Sequence, residues 1–225
     1  MKILAISDLH SFHSQLKLPP DIQMIICAGD VSNPQNPAIN ANQVLDFLAW
    51  YESLPIKYKI FCAGNHDTSI YHKLIDPRKY STIDYLEHES IERGGINIFG
   101  SPWTPTYGSG WAWNKDRGKL DAYWKAIPEN TDILVTHGPP KGILDLSHNY
   151  GDDLEYCGDQ ALFNHVERVK PSFHIFGHIH SNKVDMNSGT RTVSGMKTTF
   201  INASCCNDGD YSGLTSHGTI FEFNK

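Results

Sequence analysis

The sequence lacks a long hydrophobic run, and this absence excludes one class of protein. No apolar segment approaches the roughly 20 residues that a membrane-spanning helix needs. The apolar run at residues 3–6 is also too short for the core of a signal peptide. We therefore expect a cytoplasmic protein with no membrane partner.

Positive charge is scarce. The 225 residues include 19 Lys and Arg against 25 Asp and Glu, which gives a net charge of −6. A protein that holds nucleic acid by its backbone charge needs a basic face, so we expect no strong nucleic-acid binding. A small phosphorylated substrate is still compatible with this charge, because bound divalent cations would supply positive charge locally.

Paired cysteines are also missing. The five cysteines are odd in number and form no CxxC pair. Cys27 and Cys62 stand in apolar runs that resemble buried strands, where a reduced thiol is the common state. We predict five free thiols, none of them a zinc ligand.

Short apolar runs dominate the rest of the pattern and predict an α/β fold. Runs at 2–6, 22–28, 56–63, 133–135 and 173–176 each lead directly into a polar cluster. Continuous apolar runs of this length are typical of strands buried on both faces. Helical spacing of apolar residues between some of the runs indicates an alternation of strands and helices. We expect a single domain over residues 1–225.

The spacing also predicts where the other elements lie. Helices are expected near 44–51, 120–127 and 161–169, with a long ordered loop at 101–118. Segments at 190–193, 198–203 and 219–223 are rich in β-formers and predict antiparallel strands that close a second sheet. Asp145, Asp152 and Asp153 are expected in a solvated loop.

The polar clusters carry the chemistry. In open α/β sheets ligands bind beyond the carboxyl ends of strands, so clusters that are distant in sequence can converge there. Imidazole, carboxylate and amide oxygen form a ligand set for divalent metals. For any one cluster, a turn residue or a hydrogen-bonded histidine is the commoner explanation, but the combination favours a metal site. The candidate ligands are Asp8, His10, Asp30, Asn65, His137, His178 and His180.

Seven side chains are more than one metal ion needs, and this number predicts two ions that share Asp30. Residues i and i+2 at a strand end lie on the same side. The pairs Asp8-x-His10 and His178-x-His180 can therefore each grip one ion or serve two adjacent ions.

These clusters resemble the signature of the calcineurin-like metallophosphoesterases. The matching segments are Asp8-x-His10, Gly29-Asp30, Gly64-Asn65-His66-Asp67, Thr136-His137-Gly138 and Gly177-His178-x-His180. Further segments, at 100–105, 136–140 and 200–204, resemble the metallophosphoesterase-domain (MPPED) subfamily. The resemblance implies a four-layer α/β/β/α sandwich with two mixed β-sheets, and a metal-dependent phosphoesterase.

The same resemblance implies how the ligands divide. The first metal would take Asp8, His10, Asp30 and His180, and the second would take Asp30, Asn65, His137 and His178. We expect two divalent ions, with Mn as the expected metal and Fe, Zn, Co and Mg as alternatives that the same ligands accept. A bridging hydroxide would attack phosphorus.

Two further residues are candidates for catalysis. His66 stands next to Asn65, so it can contact the substrate and protonate the leaving oxygen. Asp67 is either a residue that orients a histidine or the N-cap of the following helix.

The substrate prediction depends on what is missing near Asp30 and His66. Protein Ser/Thr phosphatases of this superfamily carry arginines there, which hold a dianionic monoester, whereas this chain has none. We therefore predict a phosphodiesterase that acts on nucleotides, cyclic ones included. The alternatives are a phosphomonoesterase, a nuclease, or a metal- or nucleotide-binding regulator with little activity.

Substrate contacts are predicted for Asn65, His66, Trp103 and Asn202, the last only by the resemblance. Four aromatic residues of the long loop either stack on a nucleobase or pack on the core, and the sequence leaves both open. They are Trp103, Tyr107, Trp111 and Trp113. No oligomeric state is predicted.

Overall fold

The computed structural model of the chain describes residues 1–148, 154–181, 187–207 and 212–224. Within these residues the strands are β1 (Lys2–Ile6), β2 (Met24–Cys27), β3 (Tyr58–Phe61), β4 (Ile83–Tyr85), β5 (Glu89–Arg93), β6 (Ile96–Ser101), β7 (Thr104–Pro105), β8 (Asn114–Lys115), β9 (Ile133–Thr136), β10 (Leu146–His148), β11 (Leu154–Tyr156), β12 (Phe173–Phe176), β13 (Gly189–Thr192), β14 (Thr199–Asn202) and β15 (Thr219–Glu222). The α-helices are α1 (Pro37–Ser53), α2 (Thr68–Tyr71), α3 (Arg117–Trp124) and α4 (Gln160–Val169), and short 3-10 turns cover His13–Gln15 and Pro77–Lys79.

Most strands belong to two large mixed sheets. The first has the order β15-β1-β2-β3-β4 and is parallel except for β15. The second has the order β13-β14-β12-β9-β6-β5, and its two edge strands are antiparallel to their neighbours. The carboxyl ends of the parallel strands therefore lie at one edge of each sheet.

Three hydrophobic clusters separate four layers. One cluster packs α1 on the outer face of the first sheet, a second fills the space between the sheets, and a third packs α3 and α4 on the second sheet. Strand β1 illustrates this arrangement, because Leu4 and Ile6 face the helix while Ile3 and Ala5 face the other sheet. Burial on both faces explains the continuous apolar runs. The predicted four-layer α/β/β/α sandwich is confirmed.

The C-terminal strands depart from the prediction of one antiparallel group. β13 and β14 are antiparallel, but β14 runs parallel to β12, with Asn202 opposite Phe176. β15 belongs to the first sheet, where Ile220 lies opposite Leu4. The prediction was wrong here because β-propensity identifies a strand without naming its partner, and the unpaired edge of β1 is covered by β15.

The predicted solvated loop was also wrong in one place. Asp145 is fully buried, and its Oδ2 accepts hydrogen bonds from Gly142 N at 3.0 Å and Gly158 N at 2.8 Å. The carboxylate thus joins two stretches of loop. Asp152 and Asp153 lie outside the described residues.

The remaining expectations concern the cysteines, a membrane span, the number of domains and the location. All five cysteines are free thiols, as predicted. In the described part of the chain, none of the helices combines the length and the apolar character needed to cross a bilayer. The single domain and the cytoplasmic location stay predictions.

Asp159 joins α3 to α4, and this yields a stability prediction. Its Oδ1 caps α4 by accepting from Ala161 N at 2.7 Å, and its Oδ2 accepts from the buried indole of Trp124 at 3.3 Å. Asp159→Ala should lower the free energy of unfolding by about 2–3 kcal/mol, because the cap is lost and the indole N–H is left unpaired. Urea unfolding followed by circular dichroism measures the change.

Asp159→Asn is the matched control. It retains the oxygen that caps α4 but brings an NH₂ group against the indole, so its stability should fall between wild type and Asp159→Ala. Unfolding of Asp159→Ala within about 0.5 kcal/mol of wild type would contradict this account.

Candidate metal centre

The seven candidate ligands follow parallel strands of both sheets. They come after β1 (Asp8, His10), β2 (Asp30), β3 (Asn65), β9 (His137) and β12 (His178, His180). Backbone pairing of Ser7 with Ser204 joins the first sheet to the second at this edge. Because the carboxyl ends meet there, residues far apart in sequence converge on one place, as the pattern predicted.

Asp8, His10 and His180 form the first group. Their ligand atoms all lie within 4.8 Å of one another, and all three residues are buried. The Nε2 atoms of His10 and His180 are 3.5 Å apart, and Asp8 Oδ1 is 3.1 Å from Nε2 of His180. His10 Nδ1 lies 3.2 Å from the carbonyl of Ser32, which directs Nε2 toward the group.

Asp30, His137 and His178 form the second group, also within 4.8 Å. His137 Nε2 lies 3.2 Å from Asp30 Oδ2 and 2.8 Å from Asn65 Oδ1. Asn65 therefore joins this group, where the resemblance assigns it. Asp30 belongs to the second group alone by this distance, so its sharing between two ions stays a prediction.

The donor set fits divalent cations. A carbonyl can only accept, so the 2.8 Å contact of His137 Nδ1 with Ala28 O requires a proton on Nδ1. In the neutral ring Nε2 then presents a lone pair, and it faces two further acceptors, Asn65 Oδ1 and Asp30 Oδ2. Lone pairs that converge in this way repel unless a positive charge lies among them, and a carbonyl behind the imidazole is the usual support of a metal-binding histidine.

The pKa shifts of these residues also favour a bound cation. Burial would raise the pKa of Asp8 and of Asp30, yet neighbouring histidines hold both well below the usual range. Burial would lower the pKa of His137, but the carboxylates of Asp30 and Asp8 raise it to about 9. The buried carboxylates thus attract a proton to His137, and a divalent cation would replace that proton.

The backbone is strained where it presents these ligands. Asp8, His10, Asp30 and His178 have φ values of 52°, 42°, 54° and 69°, in the left-handed region that costs energy for residues with a Cβ. Hydrogen bonds hold this geometry: His178 N donates to the Asp8 carboxylate at 3.1 Å, and Ser204 Oγ donates to it at 2.6 Å. Ser204 therefore orients a candidate ligand.

His66 lies beside both groups. Its Nδ1 is 2.9 Å from the carbonyl of Asn33, its Nε2 is 4.0 Å from Asp30 Oδ2, and its ring lies 4.8 Å from that of His10. The indole of Trp111 also packs on the His66 ring, with the two ring centroids 4.2 Å apart. The side chain of His66 is 16% exposed, so its ring lies at the solvent-facing border of the site.

Comparison with known proteins identifies the family. The model of the calcineurin-like phosphoesterases matches residues 1–182. The chain belongs to this family. Its members use divalent metal ions, in agreement with the donor set described above.

The chain is also similar in sequence to individual proteins. The chain is 33% identical to human metallophosphoesterase domain-containing protein 1 over 91% of its own length and 66% of the human protein, so it spans about two thirds of that relative. It is 34% identical to a UPF0046 protein of Caenorhabditis elegans, over 92% of this chain and 75% of that protein.

Solved structures share the fold at low identity. Phosphopantetheinyl hydrolase from Mycobacterium tuberculosis has a TM-score of 0.57 at 17% identity, with 94% of this chain and 93% of that chain covered. The protein TT1561 of Thermus thermophilus has a TM-score of 0.58 at 15% identity, with 90% and 88% covered.

Asp67 occupies the N-cap position of α2, one of the two places predicted for it, and a role in orienting a histidine stays a prediction. Its carboxylate makes no capping hydrogen bond to α2. It accepts instead from the backbone N–H groups of residues 30, 31, 32 and 64 and from the Ser32 hydroxyl, at 2.8–3.2 Å. Asp67 therefore holds the loop after β2 against the loop after β3, and it positions Asp30 through the backbone.

Two predicted substrate contacts, Asn202 and Trp103, are engaged by other protein atoms, and their contact with substrate stays a prediction. Asn202 is 1% exposed, and its Nδ2 donates to the carbonyls of Ile179 at 2.8 Å and Leu144 at 3.2 Å, so its polar atoms support the loop between His178 and His180. Trp103 packs on Tyr123 at 5.0 Å, with the ammonium of Lys115 4.4 Å above its ring. Its half-buried ring is thus used in packing.

The other loop aromatics divide between the core and the site. Trp113 is buried in the core, 1% exposed. Tyr107 contacts Asn65 and the ring of His178, and Trp111 contacts His66. Packing on the core is therefore realised by Trp113, while stacking of Tyr107 or Trp111 on a nucleobase stays a prediction.

Asn40 is a site-supporting residue that the sequence reading missed. It is buried on α1, its Nδ2 donates to the carbonyl of His66 at 2.7 Å and to Ser32 Oγ at 2.8 Å, and its Oδ1 accepts from Ser69 N. The available signal was its position four residues before Val44, on the apolar face of the helix.

Gly64 allows the second group to form, and this gives a prediction. A Cβ at this position would lie 2.3 Å from Asp30 Oδ1 and 2.6 Å from the His137 ring. Gly64→Ala should therefore displace both candidate ligands and lower the metal content of the protein, measured by plasma mass spectrometry after metal loading.

Gly118→Ala is the control, because a Cβ there meets nothing within 4 Å. It should keep full metal content and stability. A Gly64→Ala protein that folds and binds metal as wild type would contradict the assignment of a metal ion to the second group.

Proposed function

We propose that the chain is a metal-dependent phosphodiesterase with a dinuclear metal centre, acting on nucleotides and cyclic nucleotides. The observation that carries the proposal is the pair of ligand groups with His66 at their border. Two groups of buried acceptors that lie side by side suit two adjacent cations better than one.

The residues beside the site favour a diester. Asp30 is followed by Val31, and Asp67 by Thr68, so the positions after both clusters lack an arginine. A dianionic monoester is best held by the bidentate guanidinium of arginine, whereas a diester carries a single negative charge and needs less.

Trp111 supports a substrate with a planar ring. Its indole is half-buried and packs on His66, so an apolar face stands next to the residue that would meet the leaving group. Stacking of a base on an aromatic ring contributes about 1–3 kcal/mol.

His66 has a defined part in the reaction. When bound, divalent cations supply positive charge to the phosphoryl oxygens and acidify water. In its imidazolium form, His66 donates from Nδ1 to the Asn33 carbonyl and keeps a second proton on Nε2, which faces the site. As hydroxide forms its bond to phosphorus and the bond from phosphorus to the leaving oxygen breaks, that oxygen takes the Nε2 proton and the ring becomes neutral.

A hydrolysis assay tests the diester preference. With Mn added, the purified protein should hydrolyse bis(p-nitrophenyl) phosphate with a higher kcat/KM than p-nitrophenyl phosphate, since no arginine pair holds the monoester dianion. A preference for the monoester would contradict the diester proposal. Absence of turnover with either ester would favour a binding or regulatory role.

A panel of 2′,3′- and 3′,5′-cyclic nucleotides extends this assay. At least one cyclic nucleotide should have a lower KM than the p-nitrophenyl diester, because its base can stack on Trp111. Equal KM values across the panel would leave the diesterase proposal intact and overturn its nucleotide part.

His66→Ala should lower kcat about 10²–10⁴-fold, because the leaving oxygen loses its proton donor, while metal content stays unchanged. Steady-state kinetics and metal analysis on the same preparation measure both quantities. His72→Ala, at an exposed histidine, is the control and should have wild-type kinetics. A parallel loss of metal in His66→Ala would assign the residue to metal binding instead.

A further inference from the structure

The segment between β7 and β8 places a tyrosine against the candidate metal centre. The hydroxyl of Tyr107 accepts a hydrogen bond from Asn65 Nδ2 at 2.5 Å, and its ring stands edge-on to His178 at 4.9 Å. The backbone of the same segment is tied to the same asparagine, because Ala112 N donates to the Asn65 carbonyl at 3.1 Å. The segment therefore holds both the side chain and the main chain of Asn65.

The side chain of Asn65 needs a partner to fix the orientation of its amide. The torsion that turns a carboxamide about its last bond has a broad energy minimum, so the side chain does not fix the direction of its own oxygen. Only the oxygen can serve as a ligand, and an inward-facing NH₂ would oppose a cation. With Nδ2 on the phenol, Oδ1 points to His137 Nε2 at 2.8 Å and toward the second group.

We propose that Tyr107 is a positioning residue that orients the amide of Asn65 so that its oxygen binds a divalent cation in the second group. The inference rests on the proposed metal centre and deepens it. A loop hydroxyl thereby sets the affinity of one of the two ions. Tyr107 contacts Asn65 and His178, both of the second group, so the effect should be confined to that ion.

Tyr107→Phe tests this assignment, because it removes the hydroxyl and keeps the ring against His178. Metal-free protein is titrated with Mn²⁺ by calorimetry, and bound metal is counted by plasma mass spectrometry. One of the two Mn²⁺ dissociation constants should rise about 10–100-fold, as is usual when an outer partner of a metal ligand is removed. The other dissociation constant and the melting temperature of the metal-free protein should be unchanged.

Tyr123→Phe is the matched control. It removes a phenol hydroxyl from a neighbouring part of the fold, where the oxygen lies 2.7 Å from Lys115 Nζ, and should leave both Mn²⁺ affinities as in wild type. A second control uses Asn65→Ala. In that background the amide is absent, so adding Tyr107→Phe should cause no further change in the Mn²⁺ titration.

Three results would overturn the assignment: wild-type Mn²⁺ affinities in Tyr107→Phe, an equal loss in Tyr123→Phe, or a further loss when Tyr107→Phe is added to Asn65→Ala. Failure of the proposed function looks different. A wild-type protein that binds two Mn²⁺ ions but hydrolyses no ester would overturn the phosphodiesterase proposal, while the binding titration would still decide the role of Tyr107.

Discussion

Buried ligand atoms converge at the junction of two sheets, and the surrounding loops are shaped by the need to hold them there. The Nε2 atoms of His10 and His180 face each other at 3.5 Å, and His137 Nε2 faces two oxygens. These contacts are favourable only when a proton or a cation lies between the facing acceptors, and the surrounding fold holds the atoms in place. The left-handed φ values and the close approach at Gly64 are local consequences of the same constraint.

Hydrogen bonds from buried polar side chains hold the loops that carry the candidate ligands. Asp67 accepts five hydrogen bonds from two loops, and Asn40 joins α1 to both of them. A buried carboxylate or amide is costly unless its hydrogen bonds are satisfied, and here they are satisfied by the loops that carry Asp30 and Asn65. The polar network and the geometry of the site therefore depend on each other.

The long loop after β6 completes the site from outside the sheets. Its four aromatic residues lie in one segment but contact two different parts of the protein. Trp103 and Trp113 pack on the core, whereas Tyr107 and Trp111 contact candidate site residues. Composition alone cannot separate these uses, because whether a ring faces the core or the site depends on how the loop closes over Asn65. The hydrogen bond from Ala112 N to Asn65 O joins the loop to this residue.

The alternation of strands and helices and the set of residues that could bind metal were both predictable from the sequence. Both follow from local pattern: apolar runs mark strands buried on both faces, and each run ends in a polar cluster. Tertiary structure decided the sheet to which β15 belongs and the partners of Asp67, Asn202 and Trp103. These are contacts between distant positions, such as Ser204 with Asp8 across 196 residues. A side chain's type limits which partners suit it, but only the packed layers bring one of them within reach.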